Sequence, residues 1–245
     1  MSKNRFATGT NEYLRYRPTY PDALYEYLVS LCVKHNQAWD CATGNGQAAV
    51  ALARYFKQVL ATDISPEQLA LATPHERVTY QTAPAESSGL PDCSVDLITV
   101  AAAIHWFDFE HFYAEAKRAL QPQGVIAAWV YFGPRTSAEI DALTDYYSFE
   151  VLGDYWDKRM AHVFSRYQTL PFPFEEITPP PFQITIEWNL EELLGFFGTF
   201  SGGKVFEERH GVDPRTLVKD KFVEVWDDPS KKRMFTLDIA LRVGR

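Results

Sequence analysis

Short apolar segments alternate with helical segments over the first half of the chain. Apolar runs of strand length predict strands at residues 37–42, 58–62, 78–81, 95–100 and 124–131. Helix-forming sequences and start signals between them predict helices over 47–55, from 65 onward, and over 109–120. Nearly continuous apolar strands that alternate with helices are typical of a parallel sheet covered on both faces. We therefore expect an α/β fold with a doubly wound sheet.

The pattern changes after residue 132. Helices are predicted over 137–152, 190–200 and 214–226, and alternating apolar and polar residues predict strands over 183–188 and 235–243. Residues 146–206 hold 15 aromatic side chains in 61 positions, whereas aromatic residues make up 15% of the chain. We therefore expect a seven-stranded, mostly parallel sheet with an antiparallel edge. The helical, aromatic-rich part is either a small lid over a pocket or part of the core.

Composition excludes several classes of protein. The 245 residues are 46% hydrophobic and 23% charged, which suits a soluble globular chain. No apolar run is long enough for a membrane span, and the first residues lack the apolar segment of a secretory signal. The three cysteines show no metal-ligand or disulfide spacing, so we expect no metal and a reduced, cytoplasmic setting. A net charge of −8 without a basic stripe argues against a nucleic-acid partner.

One segment carries candidate chemistry. The first predicted strand leads directly into residues 40–46, DCATGNG, and a predicted helix begins immediately afterwards. Glycines allow a tight turn and a close approach of a ligand, and a helix N-terminus presents free N–H groups. Asp63 ends the second predicted strand, where an acid can bind both hydroxyls of a ribose. The pattern predicts a site for a nucleotide-type ligand.

The glycine pattern alone leaves the ligand open. Residues 44–49 also match the G-x-G-x-x-G/A pattern of dinucleotide sites, so an NAD-dependent oxidoreductase is one alternative. A non-catalytic cofactor-binding protein is another. Three features favour a different adenosine ligand: Asp40 precedes the first glycine by four residues, nearly forty residues precede the first strand, and seven strands are expected.

Taken in order and spacing, several short motifs resemble the class I S-adenosylmethionine-dependent methyltransferases. The likeness is greatest to the type 11 group, which includes trans-aconitate methyltransferase-like proteins, and it covers nearly the whole chain. It rests on residues 13–21, 40–46, 61–63, 85–86, 94–97, 105–108 and 241–245. The resemblance implies a Rossmann-like methyltransferase fold in a single domain over residues 1–245. Residues 1–36 would cover the cofactor, 37–132 would form the cofactor-binding core, and 133–181 with 189–230 would supply lid or substrate elements.

The resemblance also implies S-adenosylmethionine as the cofactor. The glycine-rich turn would bind its methionine part, the second strand end its ribose and adenine, the loop after the third strand the adenine edge, and the fourth strand end would lie beneath the sulfonium. Two N-terminal residues would close over it. The implied cofactor-binding residues are Tyr13, Arg17, Asp40, Ala42, Gly44, Gly46, Asp63, Ile64, Ala85, Glu86 and Ala101. The sequence departs from the family at Ala42, where glycine is usual, and at Pro84, where many relatives have aspartate.

The acceptor side of the reaction is less specified. His105 is the candidate general base, although a packed or capping histidine fits the sequence equally well. Trp106, Arg135 and Arg159 are candidate substrate-binding residues. The resemblance favours a small-molecule substrate, with O-methylation of an organic acid carboxylate, and a quinone or lipid-like acceptor is the alternative. The oligomeric state does not follow from the sequence.

Overall fold

The computed structural model describes residues 15–245, and these residues contain a seven-stranded sheet in the order β3-β2-β1-β4-β5-β7-β6. Its strands are β1 (Gln37–Cys41), β2 (Gln58–Asp63), β3 (Val78–Thr82), β4 (Val95–Ala101), β5 (Leu120–Tyr131), β6 (Phe182–Trp188) and β7 (Arg233–Gly244). Every residue of β4 except the last is buried, as its continuous apolar run predicts.

Strand directions confirm the expected mixed sheet. Strands β1 to β5 pair in parallel, and Trp39 of β1 lies between Leu60 of β2 and Ile98 of β4. Strand β7 runs antiparallel to β5, with Ile126 opposite Gly244. The predicted α/β, doubly wound, mostly parallel sheet with an antiparallel edge is therefore present.

The helices differ from the sequence pattern in three places. The α-helices are α1 (Asp22–Ser30), α2 (Gln47–Leu52), α3 (Pro66–Leu69), α4 (Phe109–Ala119), α5 (Ala138–Asp145), α6 (Met160–Phe164), α7 (Leu190–Gly198), α8 (Ser201–His210) and α9 (Lys219–Trp226). Sequence analysis missed α1, α6 and α8. Helix α8 includes Gly202, a poor helix former, whose missing side chain leaves room for the Trp156 indole. The helix predicted over 137–152 continues beyond α5 as a π-helix, Tyr146–Val151.

The chain divides into two compact units. The sheet unit comprises Tyr20–Tyr131, Ala161–Phe182 and Ile239–Arg245. The aromatic unit comprises, within the described residues, 15–19, Phe132–Met160 and Gln183–Asp238. No helix within residues 15–245 combines the length and the apolar character needed to cross a membrane.

Stacked rings form the interior of the aromatic unit. Tyr147 stacks on Phe197 with ring centroids 4.8 Å apart, and Trp188 stacks on Phe196 at 5.0 Å. The aromatic-rich segment noted in the sequence therefore supplies a core for this unit, and its role as a lid stays a prediction.

Candidate active site

The turn after β1 adopts left-handed backbone at three positions. These are Ala42 (φ 55°), Gly44 (φ 58°) and Gly46 (φ 84°). Glycine adopts this conformation without steric cost, whereas alanine does so with strain. A Cβ atom at Gly46 would overlap the Tyr80 phenol, while one at Gly44 would meet only Gln68, at 3.9 Å. The turn is thus crowded at Gly46 and accessible at Gly44.

Asp40 is the buried anchor of this turn. Its carboxylate accepts hydrogen bonds from Thr43 Oγ1 (2.5 Å), from Thr99 Oγ1 on β4 (2.7 Å), and from the backbone of Ala49 in α2. Burial raises the pKa of Asp40 to about 6, although these donors oppose the rise. Asp40 thereby ties the turn to β4 and α2. Its direct contact with a cofactor stays a prediction, and sequence analysis missed both threonines.

Asp63, the last residue of β2, connects two adjacent loops. One carboxylate oxygen accepts the Gly44 N–H (2.8 Å) and the other accepts the Ser65 N–H (2.9 Å). Burial raises the pKa of this carboxyl, and the backbone donors act against that rise. The neighbouring Ile64 side chain is 70% exposed. An acid and an accessible apolar side chain therefore stand together at the carboxyl end of β2.

The loop after β3 is tied to the loop after β4. Glu86 is half-buried and accepts a hydrogen bond from the Asp108 N–H (3.1 Å), while Ala85 is buried. Glu115 of α4 accepts both the N–H and the hydroxyl of Ser88. The predicted adenine-edge residues therefore lie in a loop whose backbone is fixed at two points.

His105 lies in a short 3₁₀ helix, Ile104–Trp106, just beyond β4 and Ala101. Its side chain is buried, its Nδ1 lies 3.0 Å from the Tyr167 hydroxyl, and its ring packs on Trp106 with centroids 4.8 Å apart. Tyr167 is 62 residues away in sequence, so no local pattern indicates this contact. The structure brings His105 and Trp106 together at the end of β4, where ligands bind in open parallel sheets.

The arginines proposed for binding belong to the aromatic unit and have partners within it. Arg17 Nε donates to Thr199 Oγ1 (2.9 Å), and its guanidinium lies over the Phe196 ring. Arg135 pairs with an Asp145 oxygen at 2.8 Å, and Arg159 pairs with both oxygens of the Asp157 carboxylate. Their ligand-binding roles stay predictions. Tyr13 lies outside the described residues.

A Tyr-x-x-x-Lys pair of the kind used by some oxidoreductases occurs in α4, as Tyr113 and Lys117. The Tyr113 hydroxyl donates to the Pro171 carbonyl, and burial raises the pKa of this phenol strongly. The Lys117 ammonium lies 5.5 Å from the centre of the Phe174 ring. Both side chains therefore pack α4 against residues 171–174, which does not suit an acid–base pair.

Comparison with known proteins identifies the family. A sequence profile described as a methyltransferase domain matches residues 39–128. A Dictyostelium discoideum protein assigned to the methyltransferases is 32% identical over 91% of this chain and 86% of its own length. The solved structure of a protein from Anaeromyxobacter dehalogenans, assigned as a type II methyltransferase, superposes with a TM-score of 0.87 and 40% identity, covering 94% of this chain and 98% of that chain. The chain belongs to the methyltransferase family.

The methyltransferase is therefore an enzyme, and its family implies S-adenosylmethionine as the methyl donor. A Bacillus halodurans structure at 19% identity, TM-score 0.51, covers 91% of this chain and 98% of that chain and shows the fold alone. The profile spans β1 to most of β5, which includes the turn at residues 40–46, Asp63 and His105. These comparisons leave the acceptor of the methyltransferase unnamed.

Proposed function

We propose that the sheet unit binds S-adenosylmethionine at the turn of residues 40–46 and at Asp63, and that the enzyme methylates a small molecule. The observation that supports this most is the hydrogen bond from the Gly44 N–H to the Asp63 carboxylate. It couples the backbone proposed to meet the methionine part to the acid proposed to meet the ribose.

The residues present fit the cofactor. Each Asp63 oxygen uses one backbone donor, and a carboxylate oxygen can accept a second hydrogen bond, so ribose hydroxyls can be added. The exposed Ile64 offers an apolar face for adenine, and Ala85 with Glu86 would contact the adenine edge. The left-handed turn at Gly44 leaves the backbone accessible to a ligand.

When bound, the cofactor supplies a methyl group that its sulfonium sulfur makes electrophilic. The chain therefore needs no covalent nucleophile. Its own residues must hold the acceptor in line and keep water out, and such positioning can contribute about 7–11 kcal/mol.

The proposed acceptor is a carboxylate oxygen of a small organic acid. A carboxylate is ionised near neutral pH and can attack without losing a proton. Because Arg135 and Arg159 pair with their own acids, either would have to exchange that partner to bind the substrate. The stacked rings of the aromatic unit favour the second candidate, a quinone or lipid-like acceptor.

Calorimetric titration with S-adenosylhomocysteine, run beside NADH, tests the cofactor. We expect binding of the first only, and Asp63→Ala should abolish it because the variant removes the ribose acceptor. Asp96→Ala is the matched control, since Asp96 is also buried and accepts two backbone N–H groups, at the start of β4. Equal affinity in wild type and Asp63→Ala, or NADH binding alone, would overturn the proposal.

A methylation assay tests the acceptor class. We expect turnover with small carboxylic acids, in a panel that includes trans-aconitate, and no turnover with a hydroxyquinone or a phenol. Methyl esters release methanol in mild base, whereas methyl ethers do not, so the product identifies the atom methylated. Turnover of the hydroxyquinone alone would replace the carboxylate by the second candidate.

A further inference from the structure

The His105–Tyr167 contact joins two buried side chains of the sheet unit. Tyr167 is fully buried, and His105 is 4% exposed. Among the residues that the structure describes, His105 Nδ1 is the only hydrogen-bond partner of the Tyr167 hydroxyl, at 3.0 Å. Burial raises the pKa of Tyr167 well above its ordinary value, so the phenol keeps its proton.

The Tyr167 side chain is held in place by a strained corner of the backbone. Arg166 (φ 53°) and Tyr167 (φ 60°) are consecutive non-glycine residues in the left-handed region, which is uncommon outside functional sites and special turns. Arg242 of β7 donates to the Tyr167 carbonyl (2.7 Å) and pairs through two nitrogens with Glu176. The corner is therefore fixed from both its own backbone and the last strand.

The position of the phenol decides which nitrogen of His105 carries the proton. A buried O–H group needs an acceptor, and the acceptor within reach of Tyr167 is Nδ1. A neutral imidazole that accepts at Nδ1 has its proton on Nε2. Nε2 is then a hydrogen-bond donor and cannot take a proton from an acceptor.

We propose that Tyr167 is a positioning residue that holds His105 as a neutral Nε2–H donor, and that this donor binds the carboxylate oxygen of the methyl acceptor. This inference rests on the proposed function and replaces the expectation that His105 acts as a base. The acceptor oxygen forms the new O–CH₃ bond with a lone pair, the electron pair of the broken S–CH₃ bond stays on sulfur, and no proton is transferred. The Nε2–H bond orients the carboxylate oxygen that is not methylated.

Nitrogen-15 NMR of the histidine side chains measures the tautomer in the free protein. We expect His105 in the Nε2–H form, with its signals identified by their loss in His105→Gln, and we expect Tyr167→Phe to abolish that preference. Tyr113→Phe is the matched control, because Tyr113 is a buried phenol of the same unit that donates to Pro171 instead. An Nδ1–H tautomer in the wild-type protein overturns the proposal even if Tyr167→Phe fails to fold.

Three substitutions at His105 separate a donor from a base. The side-chain amide nitrogen of glutamine can take the place of Nε2–H, whereas asparagine reaches only the Nδ1 position and alanine neither. With trans-aconitate as the probe, we expect His105→Gln to keep kcat/KM within about fivefold, and His105→Asn and His105→Ala to lose about a hundredfold, as for loss of one oriented donor. Equal losses in all three variants would indicate a base.

The two proposals fail in different measurements. Absence of S-adenosylhomocysteine binding to the wild-type protein overturns the proposed function and leaves the tautomer measurable. Normal binding with the Nδ1–H tautomer overturns only the role of Tyr167.

Discussion

Asp40 shows how a single buried residue combines a structural and an electrostatic role. Three groups of the chain donate to its carboxylate, yet it is only 1% exposed, so burial still outweighs them and raises its pKa. A carboxyl that binds its proton more tightly in the folded chain than in the unfolded one stabilises the fold at low pH. That contribution is lost as pH rises through the folded pKa of about 6.

Asp40→Asn should remove this pH dependence. Between pH 4 and 7 the wild-type free energy of unfolding should fall, relative to that of the variant, by about 3 kcal/mol, because two pKa units correspond to about that amount. Urea unfolding of both proteins at matched ionic strength across this range measures the difference. Parallel profiles would show that Asp40 titrates normally in the folded chain.

Ala42 shows what the turn requires of its backbone. The residue keeps the left-handed conformation that glycine would adopt more readily, with φ 55°. The departure from the family pattern therefore leaves the turn in a left-handed conformation and puts a strained alanine beside Gly44. Sequence analysis expected a slightly tighter or shifted turn, and the observed geometry does not require one.

At the scale of elements, the end of β7 fastens the segment that carries Tyr167. Arg242 is largely buried, pairs with Glu176, donates to the carbonyls of Tyr167 and Leu170, and lies over the Phe172 ring. A planar guanidinium can make these contacts at once, whereas a lysine ammonium cannot.

Arg242→Lys should therefore lower the free energy of unfolding by about 1–3 kcal/mol, since several charge-assisted hydrogen bonds are lost. Arg135→Lys is the matched control, because its pair with Asp145 is solvent-exposed and such pairs contribute about 0–1 kcal/mol. Urea denaturation followed by circular dichroism compares the two variants. Equal effects would mean that Arg242 acts as an ordinary surface charge.

At the scale of the whole molecule, parallel pairing brings the candidate site together. Asp40, Asp63 and His105 stand at or just beyond the ends of β1, β2 and β4, and parallel strands end on the same edge of a sheet. The loops after β3 and β4 meet through Glu86 and Asp108 at that edge. Residues spread over more than sixty positions thereby become neighbours.

The fold class and the turn could be predicted from the sequence because both depend on local pattern. Continuous apolar strands, a glycine-rich turn after the first strand and an acid after the second are each visible within a few residues. The missed helix α8 has the opposite cause, since Gly202 disfavours a helix locally and packing against Trp156 overrides that preference.

The partners of the site residues were decided by tertiary structure alone. Thr99 lies 59 residues from Asp40, and Tyr167 lies 62 residues from His105, so each contact exists only after the strands have paired and the segment at residue 167 has packed. The sequence by itself determined a methyltransferase-like sheet with an acid and a glycine turn at its edge. Which acid is buried and which nitrogen of the histidine holds the proton depend on desolvation and hydrogen bonds that only the folded chain creates.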